Sequence, residues 1–541
     1  MASRAYRPEV EDINPRPQYK PRSLNFVFVL KGGGADSFGY PRQQKMKEFA
    51  KTKLPAILSV LFMLGPILDV FTALTVTAGI PISIGVICRS LFMVAAFVYV
   101  VFLAKFPTKK VCVGISGAIC GYMVLFMAHI YSVGGISLCL SNIQESAKTF
   151  YAPIIAVFLY AVYQEYGQPL TTKSIAIAGG LYTSVILVAY LTGTSFVSYS
   201  DSGYGYCGWF FAANEVGCII SISAPITIYY ILTILPTLDK WWKKILAAWT
   251  LFSIVFSACF VGTKVVYIFV LLYCLAALFW MVISSHYKRN SPWGIYRKVS
   301  AGILGAMVAF MVGAYVISPL AAYFENVYTE IMKEDSVLRA ISVNEEIETD
   351  SADTWMRYLL ENNEVINKLD QILSRRLYAA SPSIQVYIDG DSPTHLLGIG
   401  YATASSYGRN VDYMIEMDLL SVLIRHGAVG FALYIVPYIA FIGWSIIHFF
   451  THIKATITNY RYCTHLFSVL AAFAIALVAG HALVSPAVAT FSVAVSINFW
   501  AGVRDVKPAF CELSFASKDM KNSCTQRSRS KNLQQKTQFS V

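Results

Sequence analysis

Charged side chains make up only 14% of the 541 residues, against about 25% in soluble domains. With 56% of the chain hydrophobic, that shortage excludes an ordinary water-soluble enzyme. Metal-site patterns are missing too: eleven cysteines occur, yet no CxxC and no Cys/His cluster, so no metal and no cofactor is expected. Most cysteines (Cys88, Cys112, Cys120, Cys218, Cys259 and Cys274) sit in apolar runs, where Cys behaves as a small hydrophobe. Only Cys139 and Cys207 fall in candidate outer loops, which leaves room for one disulfide. No cleavable signal peptide is expected, because the first apolar run begins near Leu54 behind about fifty mostly polar residues. No internal repeat relates two halves of the chain, and the short alternating segments of an outer-membrane barrel are absent. The net charge of +12 would suit nucleic acid. The basic residues lie between and after apolar runs, however, so membrane orientation accounts for them and no nucleic-acid partner is expected.

What the chain has is apolar runs of roughly 18–24 residues, the length that crosses a hydrocarbon core. They predict an all-α polytopic membrane protein of about twelve transmembrane helices. The expected spans are 54–78, 80–103, 111–132, 150–163, 174–192, 214–235, 244–261, 264–284, 299–319, 428–449, 463–481 and 484–501. Basic residues then sort by loop, as the positive-inside rule requires. Lys105, Lys109 and Lys110, then Lys240, Lys243 and Lys244, then Lys288, Arg289, Arg297 and Lys298, then Lys454 and Arg461 fall on one side. Eight more follow residue 501, from Arg504 to Lys536. Both termini are therefore expected in the cytoplasm.

The expected domains are a cytoplasmic N-terminal segment (1–53), nine helices (54–320), a large extracytoplasmic loop with a short interfacial helix (321–427), three helices (428–501) and a basic tail (502–541). The stretch 321–412 carries fifteen of the 31 acids and seven basic residues. Within it Ile366, Leu369, Leu373 and Leu377 recur at helical spacing, which predicts an amphipathic helix.

Several polar residues sit at or near membrane depth. Asp69 and Arg89 lie ten residues either side of a turn near residue 79, so a helical hairpin puts both about 15 Å from it. They can form an intramembrane ion pair, or Arg89 can face a cavity that holds an anion. Lys264, in "FVGTKVVYI", either snorkels to the interface or opens a helix whose amides hold an anion. His481, in "LVAGHALVSP", is either a structural histidine or part of a site. "YCGWFFAANE" brings Trp209, Asn214 and Glu215 to the head of a span, where aromatic rings also serve as interfacial anchors.

The stretch "YMIEMDLL" (413–420) places Glu416 and Asp418 about 200° apart on a helix, on opposite sides. Arg425 is the expected partner of Asp418, which leaves Glu416 for a site. Gly427 and Gly430 allow a bend, making 412–426 a short interfacial helix before a full span at 428–449.

"HLLGIGYATASSYGRNVDYMIEMDLLSVLIRHGAVGF" resembles the signature of the O-antigen ligase and O-antigen polymerase superfamily of bacterial surface-polysaccharide enzymes. That signature has a G-x-G after the large loop, a polar residue on a short helix, and a Gly eleven positions on. Glu416 stands eleven before Gly427, where ligases commonly carry His in a His-Asn pair. "GWFFAANE", "GTKVVYI", "LSRRLYAA", Arg89 and the Gly-His at 480–481 resemble further family elements in the same order.

The resemblance implies a multi-span, metal-independent glycosyltransferase in the bacterial plasma membrane. Its donor would be an oligosaccharide on undecaprenyl pyrophosphate, and its acceptor another glycan. A chain-length regulator or flippase would be its protein partner. Cations would stabilise the departing pyrophosphate: Arg89, Lys264, and Arg375 or Arg376. Glu416, then Asp418, then His481 are the candidates for the base that takes the acceptor proton, with Trp209, Asn214 and Glu215 at the substrate. Polymerase is favoured over ligase because the His-Asn pair is absent. A lipid-linked sugar transporter is the rival class; internal repeats and midplane sites would mark it.

Overall fold

A computed structural model of the chain describes residues 53–80, 83–167, 170–199, 204–287, 294–322, 363–373, 376–401, 415–453, 456 and 459–505. Nearly all of them are helical. An apolar chain in hydrocarbon must satisfy every amide within its own segment, and the helix does so. Among the described residues nine helices are long and apolar enough to cross a membrane, ten if one bent pair counts as a single span.

That bent pair is α1 (Lys53–Met63) and α2 (Gly65–Thr77), at 43°. Pro66 stands in the first turn of α2, where its missing N–H breaks the hydrogen-bond ladder to α1. The helix α3 (Ile84–Val98) starts at Ser83, whose hydroxyl accepts from the Val86 amide.

The longest element, α4 (Lys109–Tyr166), is interrupted at Gly135, which has a φ of 71°. Its two arms run back along each other. The Cys139 thiol reaches the Met127 carbonyl at 3.4 Å, and the rings of Tyr122 and Phe150 lie 5.6 Å apart. The second arm thus covers 136–166, far more than the expected 150–163. Asn142, Gln144, Glu145 and Lys148 dilute its first half, so an apolar-run reading passes over it.

Next come α5 (Thr172–Leu191), opened by a Thr171–Ser174 capping box, and a short antiparallel hairpin of β1 (Phe196–Tyr199) and β2 (Tyr204–Gly208). The helices α6 (Ala213–Ile234), α7 (Trp241–Phe260), α8 (Lys264–Tyr287) and α9 (Gly294–Tyr315) follow. Most of the expected large loop lies outside the described residues. Its described parts form α10 (Glu364–Ile372), α11 (Arg376–Ile388) and α12 (Ser392–Leu397). The expected amphipathic helix corresponds to α10, and Leu377 belongs to α11.

The last three helices are α13 (Asp418–Thr451), α14 (Tyr460–Val478) and α15 (Pro486–Asp505). The bend expected at Gly427 is present, with φ 63°. The helix before it begins at Asp418 rather than at 412; residues 402–414 lie outside the described ones. A side chain at 427 would strike the main chain of Leu396 and Gly398, so this glycine is what lets α12 pack against α13. A small core of Ala380, Ile384, Val386, Ile399, Ile415 and Ile424 seats α11 on the start of α13. Cys139 and Cys207 are both buried free thiols.

Candidate active site

A cavity of about 700 Å³ opens where these elements converge. Its walls come from α2 and α3, the second arm of α4, the head of α6, the segment around Tyr401, the start of α13 and the turn between α14 and α15. From α4, Gln144, Glu145, Lys148 and Tyr151 reach it. Spacings of one, three and four residues put these side chains on one helix face.

Arg89 lines this cavity, and it also pairs with Asp69. The ion pair read from the sequence is therefore present, and Arg89 faces a cavity as well. The other Asp69 oxygen accepts from the Tyr182 hydroxyl, so the carboxylate is held from two helices. Lys148, on the same wall system, pairs with Glu145 at 2.6 Å.

The G-x-G segment has a geometric cause. Gly398 and Gly400 have φ of 91° and 68°. The Ile399 and Gly400 amides donate to the carbonyls of Ile424 and Arg425 at 3.0 and 2.9 Å. A side chain at 398 would run into the Arg425 and Gly427 main chain. This clasp delivers Tyr401 and Arg425 to the cavity together. The Arg425 guanidinium lies 4.7 Å over the Tyr401 ring and donates to the Gly400 carbonyl at 3.3 Å. The Tyr401 amide donates to Asn142 Oδ1 at 2.6 Å, and its hydroxyl bonds Thr149. Burial pushes the Tyr401 phenol up to about 12, so it remains a neutral group at physiological pH. Behind it, His426 is buried between the Tyr122 and Tyr401 hydroxyls.

Asp418 does not find its expected partner in Arg425. Its two oxygens accept from the amides of His481 and Leu483, at 2.6 and 2.7 Å. These contacts cross more than sixty residues, beyond the reach of helical spacing rules. The turn they hold carries His481 at φ 62°, the one non-glycine with positive φ among the described residues. Both Asp418 and His481 line the cavity.

Glu416 pairs instead with Arg376, Nε to Oε2 at 2.7 Å, and Arg376 Nη1 donates to the Val478 carbonyl at 3.0 Å. Lys264 lies within electrostatic reach of Arg376. These three charges flank the cavity without lining it. Arg375 lies outside the described residues. From "GWFFAANE", Glu215 and Phe211 reach the cavity. Trp209 instead donates its Nε1 to Thr194 Oγ1 at 2.8 Å, and Asn214 lies off the lining.

Sequence reasoning did not single out Glu145, Lys148 or Tyr401 for the site. The polar face of the 142–151 stretch was the available signal for the first two, and the G-x-G-Y run for the third.

Apolar helices thus surround one cavity that carries both signs of charge and an imidazole, which defines a multi-span membrane protein with a polar site. The chain belongs to the O-antigen ligase like membrane protein family, whose family model matches residues 51–500. No curated protein matches it. Membership makes it a glycosyltransferase-type enzyme and gives it a membrane glycosyl-transfer step in surface-polysaccharide assembly.

Proposed function

We propose that this protein moves an oligosaccharide from undecaprenyl pyrophosphate to an acceptor sugar at the outer face of the bacterial plasma membrane, as a polymerase of surface polysaccharide. One observation carries the reading. Arg89, Lys148 and Arg425 share a single cavity with Glu215, Asp418 and His481.

The reaction needs both sets. The acceptor hydroxyl oxygen bonds to the anomeric carbon while the carbon–oxygen bond to pyrophosphate breaks, and its electron pair leaves with the pyrophosphate. Cations fixed in place beforehand stabilise that developing charge. Arginine offers planar paired donors to phosphate oxygens, and Arg89 and Arg425 are both oriented by neighbours before any ligand arrives. Lys264 and Arg376 belong to this reading as a flanking positive field. The acceptor proton passes to a group on the Glu215, Asp418 and His481 side.

Counting α1–α2 as one bent span, each arm of α4 as one, and α15 as one, the chain crosses the bilayer twelve times with both termini cytoplasmic. The basic loops then lie inside and the cavity outside. Apolar side chains such as Leu91 and Phe102, 65% and 70% exposed, suit contact with lipid.

The full chain in lipid nanodiscs, given undecaprenyl-pyrophosphate-linked oligosaccharide from the producing cells, should lengthen the glycan and release undecaprenyl pyrophosphate. Transfer of finished polymer to a terminal acceptor, without lengthening, would make it a ligase. Movement of intact donor across a vesicle bilayer with no glycosidic bond formed would replace the enzyme by a transporter.

A further inference from the structure

The cavity carries several groups that could take a proton, and most are already engaged. Glu145 is paired with Lys148. The Tyr401 hydroxyl is bonded to Thr149. Each oxygen of Asp418 holds a main-chain amide. The His481 imidazole lines the cavity, and among the described residues this residue's hydrogen bond is made by its backbone N–H and not by its ring. Among the described residues neither ring nitrogen has a hydrogen-bond partner, which leaves the imidazole for a ligand in the cavity.

The backbone beneath that ring is under constraint. A side chain at φ 62° is disfavoured for any L-residue, and strain of this kind persists only where surrounding contacts over-determine it. Here they do. Asp418 grips the amides on either side of Ala482, and Ser492 Oγ donates to the Ala482 carbonyl at 2.7 Å. The Cys218 thiol reaches the Gly480 carbonyl at 3.5 Å. Gly480 itself lies so close to the Glu416 carbonyl that no side chain fits there. Four contacts from α6, α13 and α15 thus converge on four residues. A glycine would sit at position 481 without strain, yet the chain has a histidine.

We propose that His481 takes the proton from the acceptor hydroxyl, and that Asp418 is the positioning residue that holds His481 in reach. The proposal rests on the glycosyl-transfer reading. As the new glycosidic bond forms and pyrophosphate departs with the electron pair, the hydroxyl proton moves to an imidazole nitrogen and from there to water. Glu215, at the head of α6 on the same cavity, remains available to the sugar. Asp418, each oxygen of which accepts one of those amides, acts through the turn and not on the substrate.

His481→Gly separates this role from a structural one, because glycine relieves the backbone while removing the ring. The full-length variant in nanodiscs should unfold at the same or a higher temperature and bind the lipid-linked donor as before. It should form product about 100-fold or more slowly, the usual reach of general-base catalysis. Product at the wild-type rate would overturn the proposal. Loss of product together with a lower unfolding temperature would make His481 structural, and loss together with donor binding would make it a binding residue; either overturns it. Asp418→Asn should slow the wild-type reaction but leave the residual rate of His481→Gly unchanged, per folded molecule. A further fall in that background would reduce Asp418 to a structural residue. Should the wild-type protein form no product at all, the glycosyl-transfer reading itself ends; an active wild type beside an active His481→Gly ends only this assignment.

Discussion

Arg376 and Glu416, forty residues apart, are joined Nε to Oε2 at 2.7 Å, and the same guanidinium bonds the Val478 carbonyl at 3.0 Å. One arginine therefore ties the start of α11 to the approach to α13 and the end of α14. Its side chain is 17% exposed and that of Glu416 29%, so water screens the pair in part.

Replacing either partner by alanine should lower the unfolding temperature, Arg376→Ala by more because the Val478 contact goes too. A double-mutant cycle should give a coupling of about 1 kcal/mol; independent effects would show that the two do not act as a unit. Glu416→Gln keeps an acceptor for Arg376 and should reduce polymer formation less than His481→Gly. A folded Glu416→Gln protein that makes no polymer would return the proton-acceptor role to Glu416.

Asp69 compensates Arg89 and also receives Tyr182. Asp69→Ala leaves an uncompensated cation and should destabilise the protein by about 3–5 kcal/mol, read by thermal unfolding. The double substitution Asp69→Ala with Arg89→Leu should recover much of that stability and still form no product. Product from the double variant would show that Arg89 serves the fold alone.

Gly398→Ala places a side chain at φ 91° against the main chain of Arg425 and Gly427. It should cost upward of about 2 kcal/mol and open the clasp between α12 and α13, seen as faster protease cleavage near residue 400. An unchanged cleavage pattern would show that the clasp is not needed to hold Tyr401 and Arg425.

Arg425→Lys keeps the charge but removes the flat group that lies on the Tyr401 ring and reaches Gly400. Donor binding to the nanodisc protein should weaken by about tenfold. Equal binding by the two proteins would place the pyrophosphate elsewhere.

Much of the architecture was legible because single-helix arithmetic suffices for it. Equal distance from a turn brought Asp69 to Arg89, and Gly427 announced its bend. The second arm of α4 was legible only in its apolar half, since the face it turns to the cavity reads as loop. The hairpin of β1 and β2 has no long alternating pattern to reveal it. Asp418 was misread for a different reason. Its partners are main-chain amides at 481 and 483, and a backbone donor leaves no trace in residue identity. Glu416 was expected on a helix over 412–426 but precedes α13, which starts at Asp418, and the spacing rules could not show that Arg376, on another element, takes its carboxylate.

The second arm of α4 turns Gln144, Glu145, Lys148 and Tyr151 toward the cavity while Ala152, Ile155, Ala156 and Leu159 pack into the core. Exchanging the first group need not disturb the second. The lining of the cavity on this side can therefore change along one strip of side chains while the scaffold behind it stays the same.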